Sequence, residues 1–365
     1  MIRVLQVVNN MHRAGLETML MNYYRRIDRN QIQFDFLTHR PEKDDYDDEI
    51  ESLGGKVYHA PRLYPQNYPN YFKYMKQFFI DHPEYKIMHS HIDPMSYLPL
   101  KAGQKSNIPV RIAHSHNTAI DRDMKYPLKM YFRSRINTVA TDRLACGEEA
   151  GKFLFGDKDF IVVPNAIETA NFVFNNSVRE EMRRELNLTD ELVFGHVGRI
   201  SYQKNHRFLV EIFSEIVKMN DKAILLLIGV GEKEDEIRQL VKERGIDDKV
   251  RFLGKRSDVN KLYQAMDAFV MPSLFEGVPV VGVEAQFAKL PCFFSDKVPV
   301  EVAFCENTKF IPLEASATEW AKTILEDMSK MSRTQNTIMD NRYDIDESYI
   351  ILQDYYLKMA ERIRE

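Results

Sequence analysis

The sequence predicts an α/β protein made of two doubly wound domains, each a parallel sheet covered by helices on both faces. Three observations lead there. Short, nearly continuous apolar runs alternate with longer amphipathic ones, the pattern of doubly buried strands joined by helical crossovers. That alternation runs through the first half of the chain and then again through the second. The length of 365 residues exceeds one ordinary core and fits two domains of roughly 150–200 residues.

In the first half, strands are expected at 2–8 (IRVLQVV), 33–38, 56–60, 86–91, 109–116, 143–147 and 160–165, with helix-sized segments such as 17–27 and 71–80 between them. In the second, strands are expected at 192–198, 223–229, 250–254, 267–272 and 291–296, with helices at 205–219, 232–245 and 257–266. The last of these opens on a Ser/Asp cap signal. The polar stretch 166–191 is the expected linker, although EEMRRELNL within it reads as helical. The domains are accordingly placed at 1–170 and 171–346. In the closing segment, Leu352, Tyr356, Met359 and Ile363 form one helical stripe, so helix 347–365 is expected to pack back on the first domain. Two domains imply a cleft.

Charge and cysteine content narrow the function classes. Lys plus Arg number 50 against 54 Asp plus Glu, a formal charge of −4 that gives no reason to expect a nucleic-acid partner. Cys146, Cys292 and Cys305 show no C-x-x-C spacing, which suits buried free thiols in a reducing compartment. MIRVLQVV opens as a strand rather than a signal peptide, and no apolar run approaches the ~20 residues of a membrane helix. A cytoplasmic location is expected.

The stretch SLFEGVPVVGVEAQ (273–286) holds Glu276 and Glu284 around a run that looks like a strand. Yet it lies between expected strands at 267–272 and 291–296, and parallel neighbours need a crossover of about a dozen residues or more. Reading 279–289 as a helix with Pro279 in its first turn supplies that crossover. Glu276 then occupies the loop after a parallel strand, where open α/β sheets bind ligands, and Glu284 lies in the helix that follows. The amides of Gly277, Val278 and Val280 form a helix start suited to an anion. VGRISYQKNH (197–206) adds Arg199 and Lys204 at another strand end, two cations able to neutralise a diphosphate. Gly198 and Gly229 allow close backbone approach there. The plain alternative for each is a solvated surface charge.

Together, GR-x4-KN (198–205), LIGVGEKEDEI (227–237), RFLGKRSDV (251–259) and EGVPVVGVEAQ (276–286) resemble the retaining glycosyltransferases of family 4, which have the GT-B fold of two Rossmann-like domains facing across a cleft. The resemblance covers nearly the whole chain, and with AGLE and AHSHNT it looks most like bacterial exopolysaccharide and capsule enzymes. It implies that 171–346 binds the nucleotide-sugar donor and 1–170 the acceptor. Carried over by position, Arg199 and Lys204 would hold the donor diphosphate, Glu284 the ribose hydroxyls and Glu276 the transferred sugar. The backbone around Gly254, Lys255 and Arg256 would meet the base.

In NNMHRAGLE (9–17), Gly15 is the residue expected to bring amides near a phosphate; Ala14 stands where the family usually has a first glycine. Glu17 is as well explained by a local structural role. The triplets HSH at 89–91 and 114–116 put two pairs of imidazoles on strand faces. Four imidazoles invite a zinc site, but no carboxylate or cysteine shares the spacing, and a place at the ends of two strands is the preferred reading. By family position, His91 is the preferred sugar contact, followed by His116 with Asn117 beside it; His89 and His114 are read as structural. Segment 124–143 carries Leu128, Phe132, Ile136 and Val139 on one stripe and Lys125, Lys129, Arg133 and Arg135 elsewhere. Such a helix either covers a sheet or lies on an anionic membrane.

The implied reaction is retaining, metal-independent transfer of a sugar, with a UDP-sugar as donor, to a glycan or lipid-linked hydroxyl at the cytoplasmic side of the inner membrane. Arg199, Lys204, Glu276 and His91 are its expected catalytic residues, and no cofactor is expected. Two alternatives stand beside it: a GT-B nucleotide-sugar epimerase and a non-catalytic GT-B partner subunit.

Overall fold

A computed structural model describes residues 1–120, 123–334 and 336–364. The chain divides into two units, one of residues 1–167 and 342–365 and the other of 168–341.

The first unit contains β1 (Ile2–Val7), β2 (Ile32–Thr38), β3 (Val57–His59), β4 (Ile87–Ser90), β5 (Val110–Ser115), β6 (Asp142–Ala145) and β7 (Ile161–Val162). Their order is β3-β2-β1-β4-β5-β6-β7, and every pair is parallel. Helices α1 (Gly15–Arg26), α2 (Asp47–Ser52), α3 (Tyr68–Asp81), α4 (Tyr97–Lys105), α5 (Tyr126–Arg135) and α6 (Glu148–Phe155) connect them. Strand alternation sends Val4, Phe34, Ile87 and Ile112 into one apolar layer and Leu5, Leu37, Met88 and Ala113 into the other. Gln6, on the face of Val4, is thus a fully buried amide in an apolar layer. Such a group must find partners on that face.

The second unit holds α7 (Asn176–Glu185), β8 (Leu192–Val197), α8 (His206–Met219), β9 (Ala223–Ile228), α9 (Glu234–Glu243), β10 (Val250–Gly254), α10 (Val259–Ala265), β11 (Ala268–Met271), α11 (Val280–Phe287), β12 (Cys292–Ser295), β13 (Thr308–Ile311) and α12 (Ala317–Met328). Its parallel order is β10-β9-β8-β11-β12-β13. Both sheets therefore reverse direction once, between β1 and β4 and between β8 and β11. Ligands of open α/β sheets sit beyond the carboxyl ends of the strands flanking such a reversal.

The run VPVVGV is helical: α11 begins at Val280, with Pro279 at its N-cap. Gly282 suits the helix because a Cβ there would stand 3.2 Å from the Phe294 ring. The Ser/Asp cap expected before α10 is not made by the side chain; Asp258 occupies the cap position, but its carboxylate pairs with Arg256 at 2.6 Å. The last helix, α13 (Ile345–Arg364), buries Leu352 and Tyr356 in the layer that holds Val4 and Phe34, with Met359 and Ile363 partly buried beside them. Each fully buried side chain of that size contributes roughly 1.5–3 kcal/mol. The Gln353 side chain accepts from the Asp28 amide at 2.8 Å, and Arg362 pairs with Asp142 at 2.6 Å.

Candidate active site

In the second unit, the loops after β8 and β11 are stitched together. The amide of Leu274 donates to Gln203 O at 2.8 Å, and Asn205, in the left-handed region at φ 54°, donates from Nδ2 to Pro272 O at 3.1 Å. This brings Lys204 Nζ to 2.7 Å from Glu276 Oε1, with side-chain exposures of only 15% and 6%. Gln203 Nε2 lies 3.2 Å from Glu276 Oε2 and 3.0 Å from Phe275 O. A cation and a carboxylate thus face each other at the reversal point. Gly198 leaves room for the stem of Lys204, since a Cβ would come within 3.2 Å of its Cε.

The other expected donor residues differ in exposure and in partners. Glu284 is half-buried on α11, accepts from Tyr263 Oη at 3.0 Å, and burial pushes its pKa up to about 7. Gly277, Val278 and Val280 are buried around the start of α11. Arg199 is 73% exposed and pairs with Glu232 at 2.9 Å. Lys255 is exposed, whereas the Arg256 guanidinium is held by Asp258 and, at 3.4 Å, by Glu185; Arg256 is left to contribute backbone.

Gly229 has φ +132°, and a Cβ there would stand 2.1 Å from Gly198 O. The close approach predicted for these glycines is therefore between the two loops themselves. Gly229→Ala is expected to cost about 3 kcal/mol or more, read as a lowered urea midpoint. Unfolding like that of the parent would show that the β8 and β9 loops can separate freely.

In the first unit, Gly15 opens α1 and is exposed. The amides just before it are already satisfied: Met11 N donates to Asp44 Oδ2 at 2.8 Å and Arg13 N to Asp45 Oδ2 at 2.9 Å. Glu17 is buried in the first turn, and desolvation raises its pKa to about 7. Its burial favours the structural side of the two roles weighed for it.

The four histidines after β4 and β5 form one assembly. His89 stacks near His91 with ring centres 4.0 Å apart, and His114 near His116 at 4.1 Å, as i, i+2 placement requires. Across the strands, His89 Nε2 meets His114 Nδ1 at 3.0 Å and His91 Nδ1 meets His116 Nε2 at 3.0 Å. His89 Nδ1 is 2.6 Å from Tyr356 Oη, and His91 Nε2 is 2.8 Å from Gln6 Oε1. Burial holds all four below the usual imidazole range, His116 at about 3. His89, His91 and His114 bring nitrogens within 4.8 Å of one another. The ring centres of the cross-strand pairs are 5.1 and 5.3 Å apart, so their nitrogens face each other end-on, as in ring-to-ring hydrogen bonds.

The two histidines expected on the sugar side differ in accessibility. His91 is 2% exposed and both of its nitrogens are engaged, while His116 is only partly buried. His91 is the more buried of the bonded pair. Asp93, which the sequence reading passed over, holds the adjacent loop: its carboxylate accepts from His116 N at 2.7 Å and Asn117 Nδ2 at 2.8 Å, with its own φ at 48°. Backbone strain of this kind persists only where surrounding contacts enforce it.

Phe132, Ile136 and Val139 of the basic segment are buried in the layer containing Met88 and Ala113. Its cations are partly engaged: Lys129 pairs with Asp123 at 2.9 Å and Arg133 lies 4.5 Å from the centre of the Phe153 ring. Met124 and Tyr131 are exposed. The three cysteines are buried and none is joined in a disulfide. Among the described residues, no helix is long and apolar enough to cross a membrane. A groove lined by Arg179, Arg183, Asp190 and Asp267 lies at the amino end of β8, away from the reversal point; Arg179 is committed there to three carbonyls and Asp267.

Solved structures place this fold in a class. The crystal structure of Anabaena Alr3699/HepE in complex with UDP-glucose matches with a TM-score of 0.77 at 15% identity, covering 99% of this chain and 100% of that one. WaaG, described as a glycosyltransferase involved in lipopolysaccharide biosynthesis, matches with a TM-score of 0.69 at 13% identity, covering 96% and 95%. The two parallel Rossmann-like units are those of the GT-B glycosyltransferases. Sequence comparison makes the assignment finer. The family model described as glycosyl transferases group 1 matches residues 178–341. The putative glycosyltransferase EpsF of Bacillus subtilis (strain 168) is 35% identical over 332 residues, 88% of this chain and 86% of that one. The Escherichia coli UDP-Gal:alpha-D-GlcNAc-diphosphoundecaprenol alpha-1,3-galactosyltransferase is 27% identical over 225 residues, 58% of each chain. The Staphylococcus aureus capsular polysaccharide biosynthesis glycosyltransferase CapH is 23% identical over 371 residues, 98% of this chain and 99% of that one. The chain belongs to the group 1 glycosyltransferases.

Proposed function

We propose that the protein transfers a sugar from a UDP-sugar to a hydroxyl of a glycan or lipid-linked acceptor during synthesis of an exopolysaccharide, capsule or related cell-surface polysaccharide. The transfer retains the anomeric configuration and uses no metal ion. The observation that carries this reading is the buried contact of Lys204 with Glu276 at the reversal point of the second sheet. It sets an ammonium for the leaving diphosphate beside a carboxylate for sugar hydroxyls. Support for the donor and acceptor classes comes from the UDP and diphosphoundecaprenol in the name of the Escherichia coli relative, and for the pathway from the capsular role of the Staphylococcus aureus one.

Arg199 swings from Glu232 to the diphosphate, and Lys204 shares its charge between the phosphate and Glu276. The amides at the start of α11 add to this field, which favours the transition state as charge develops on the leaving group. The departing phosphate takes the proton of the attacking hydroxyl on the same face, so no side chain acts as nucleophile. Glu284 accepts from the ribose hydroxyls. On the acceptor side, His116 and Asn117 meet sugar hydroxyls, with His91 behind them.

A thermal-shift comparison of UDP, GDP and ADP tests the donor: UDP is expected to raise Tm most, and an equal or larger shift with GDP would reassign the base. Turnover is expected to survive EDTA unchanged; loss that added Mg²⁺ restores would overturn metal independence. Release of label from the nucleotide sugar should require an acceptor, which separates transfer from epimerisation. For a lipid-linked acceptor, the exposed Met124 and Tyr131 beside the cations of α5 supply the membrane contact. Flotation with anionic vesicles would detect it, and recovery of the protein only in the unbound fraction would remove it.

A further inference from the structure

The histidine assembly is joined by a single amide. Gln6 Oε1 lies 2.8 Å from His91 Nε2, and Gln6 Nε2 lies 3.0 Å from Tyr356 Oη. Each end of the side chain therefore addresses a different pair of imidazoles: His91 with His116, and, through Tyr356, His89 with His114. A neutral imidazole has one nitrogen that donates and one that accepts, so fixing the first member of a chain of such rings fixes all the others. Burial favours the neutral form of all four rings, and for His89, His91 and His114 the neighbouring imidazoles add to it.

The proton positions follow link by link. The carbonyl oxygen of Gln6 can only accept, so His91 carries its proton on Nε2. His91 Nδ1 is then an acceptor, and His116 must donate to it from Nε2. His116 Nδ1 is left with a lone pair. In the second chain the Gln6 amide donates to Tyr356, whose hydroxyl proton goes to His89 Nδ1; His89 Nε2 then donates to His114 Nδ1. His114 Nε2, which bears that ring's proton, is buried without a partner. Turning the Gln6 amide over would invert every one of these bonds and put a proton on His116 Nδ1.

We propose that Gln6 is a positioning residue that, through His91, holds His116 in the tautomer protonated on Nε2, so that its Nδ1 accepts a hydrogen bond from a non-reacting sugar hydroxyl. This rests on the reading of His116 as a sugar-side residue. Gln6 itself touches no substrate; it is a buried residue of β1 that acts two rings away. Nothing in a run of apolar residues such as IRVLQVV would mark it as more than an interruption, yet it links the two ring pairs, bonding His91 directly and reaching His89 through Tyr356.

Long-range proton–nitrogen NMR of the full-length protein with ¹⁵N-labelled histidine, assigned with His116→Asn, reads the tautomer directly. The wild type is expected to show His116 unprotonated at Nδ1. Gln6→Leu, which offers His91 no acceptor, should give a mixture of tautomers and a kcat/KM lower by about 3- to 10-fold, about the worth of one hydrogen bond. Gln6→Glu keeps an acceptor facing His91 and should restore both the tautomer and most of the activity. A wild type protonated on Nδ1, a mixed wild type, or a tautomer indifferent to Gln6→Leu would each overturn the proposal. His116→Ala separates the premise: unchanged turnover in that variant, with the tautomers behaving as described, removes the sugar-side role of His116 while leaving the control by Gln6 intact.

Discussion

Lys204→Ala is expected to lower kcat/KM about 100- to 1,000-fold, the scale of removing one preorganised group that stabilises developing charge. It should also lower stability by about 1–3 kcal/mol, because Glu276, buried at the reversal point, would lose the ammonium that faces its carboxylate. The two effects separate in the pair Lys204→Met and Glu276→Gln. Combined, these substitutions remove both charges and should recover most of the lost stability while turnover stays at the level of the single lysine variant. Thermal unfolding and initial rates on the same four proteins decide it. A double variant that regains activity would mean that the contact is only a structural ion pair, and the diphosphate site would have to be sought elsewhere.

Donor affinity should fall as the solution becomes acidic, and Glu284 is the reason. Burial raises its pKa to about 7, and an acceptor for two ribose hydroxyls must be ionised. If only the carboxylate form binds, the UDP dissociation constant should be about tenfold larger at pH 6 than at pH 8. Glu284→Gln should weaken binding and flatten this dependence. Stability moves the other way. Between the ordinary glutamate value of 4.5 and about 7, the folded protein keeps a proton that the unfolded chain has released, so this residue's contribution declines as pH rises through that window. Glu284→Gln should therefore raise Tm at pH 8, corresponding to about 1–2 kcal/mol, and have little effect at pH 5. Calorimetric titration and thermal unfolding across this range measure both. A pH-independent UDP affinity in the parent would remove Glu284 from the ribose site.

Much of the fold was legible because parallel sheets write their strands as isolated apolar runs. Each of the expected strands is present within a few residues, and the crossover count turned VPVVGV from an apparent strand into α11. The segment after residue 300 was harder. TKFI carries Thr and Lys in an edge strand that pairs only with β12, so β13 lacks the apolar signature of a central one. Helix α12 did carry a readable signal, the Ser316 and Glu319 capping box, which the structure forms in full.

At the candidate site, charge was easier to read than partnership. Arg199, Lys204, Glu276 and Glu284 stand out by residue type at strand ends, but the sequence does not say that Arg256 is consumed by Asp258 or that Tyr263 supports Glu284. The histidines show the same limit. Their i, i+2 placement set the rings side by side within each strand, while the pairing between strands depends on register, which aligns His89 with Ile112 and so leaves His114 diagonally within reach of His89, and His116 of His91. Tyr356 was visible as one member of an apolar stripe; that its hydroxyl would be the working end depends on Gln6 lying opposite.

The first unit is discontinuous in sequence: residues 168–341 are spliced into it, and its last helix comes after them. During synthesis the inserted unit has all its strands available before α13 is made, whereas the β1 layer must wait for Leu352 and Tyr356 to leave the ribosome. Until then the side chains of Val4 and Phe34 lack their cover, and Gln6 lacks one of its two partners. Residues translated only after the inserted unit thus complete the order of protons around the histidines, and a chain stopped short of α13 would hold the charges of the second unit without a finished histidine assembly.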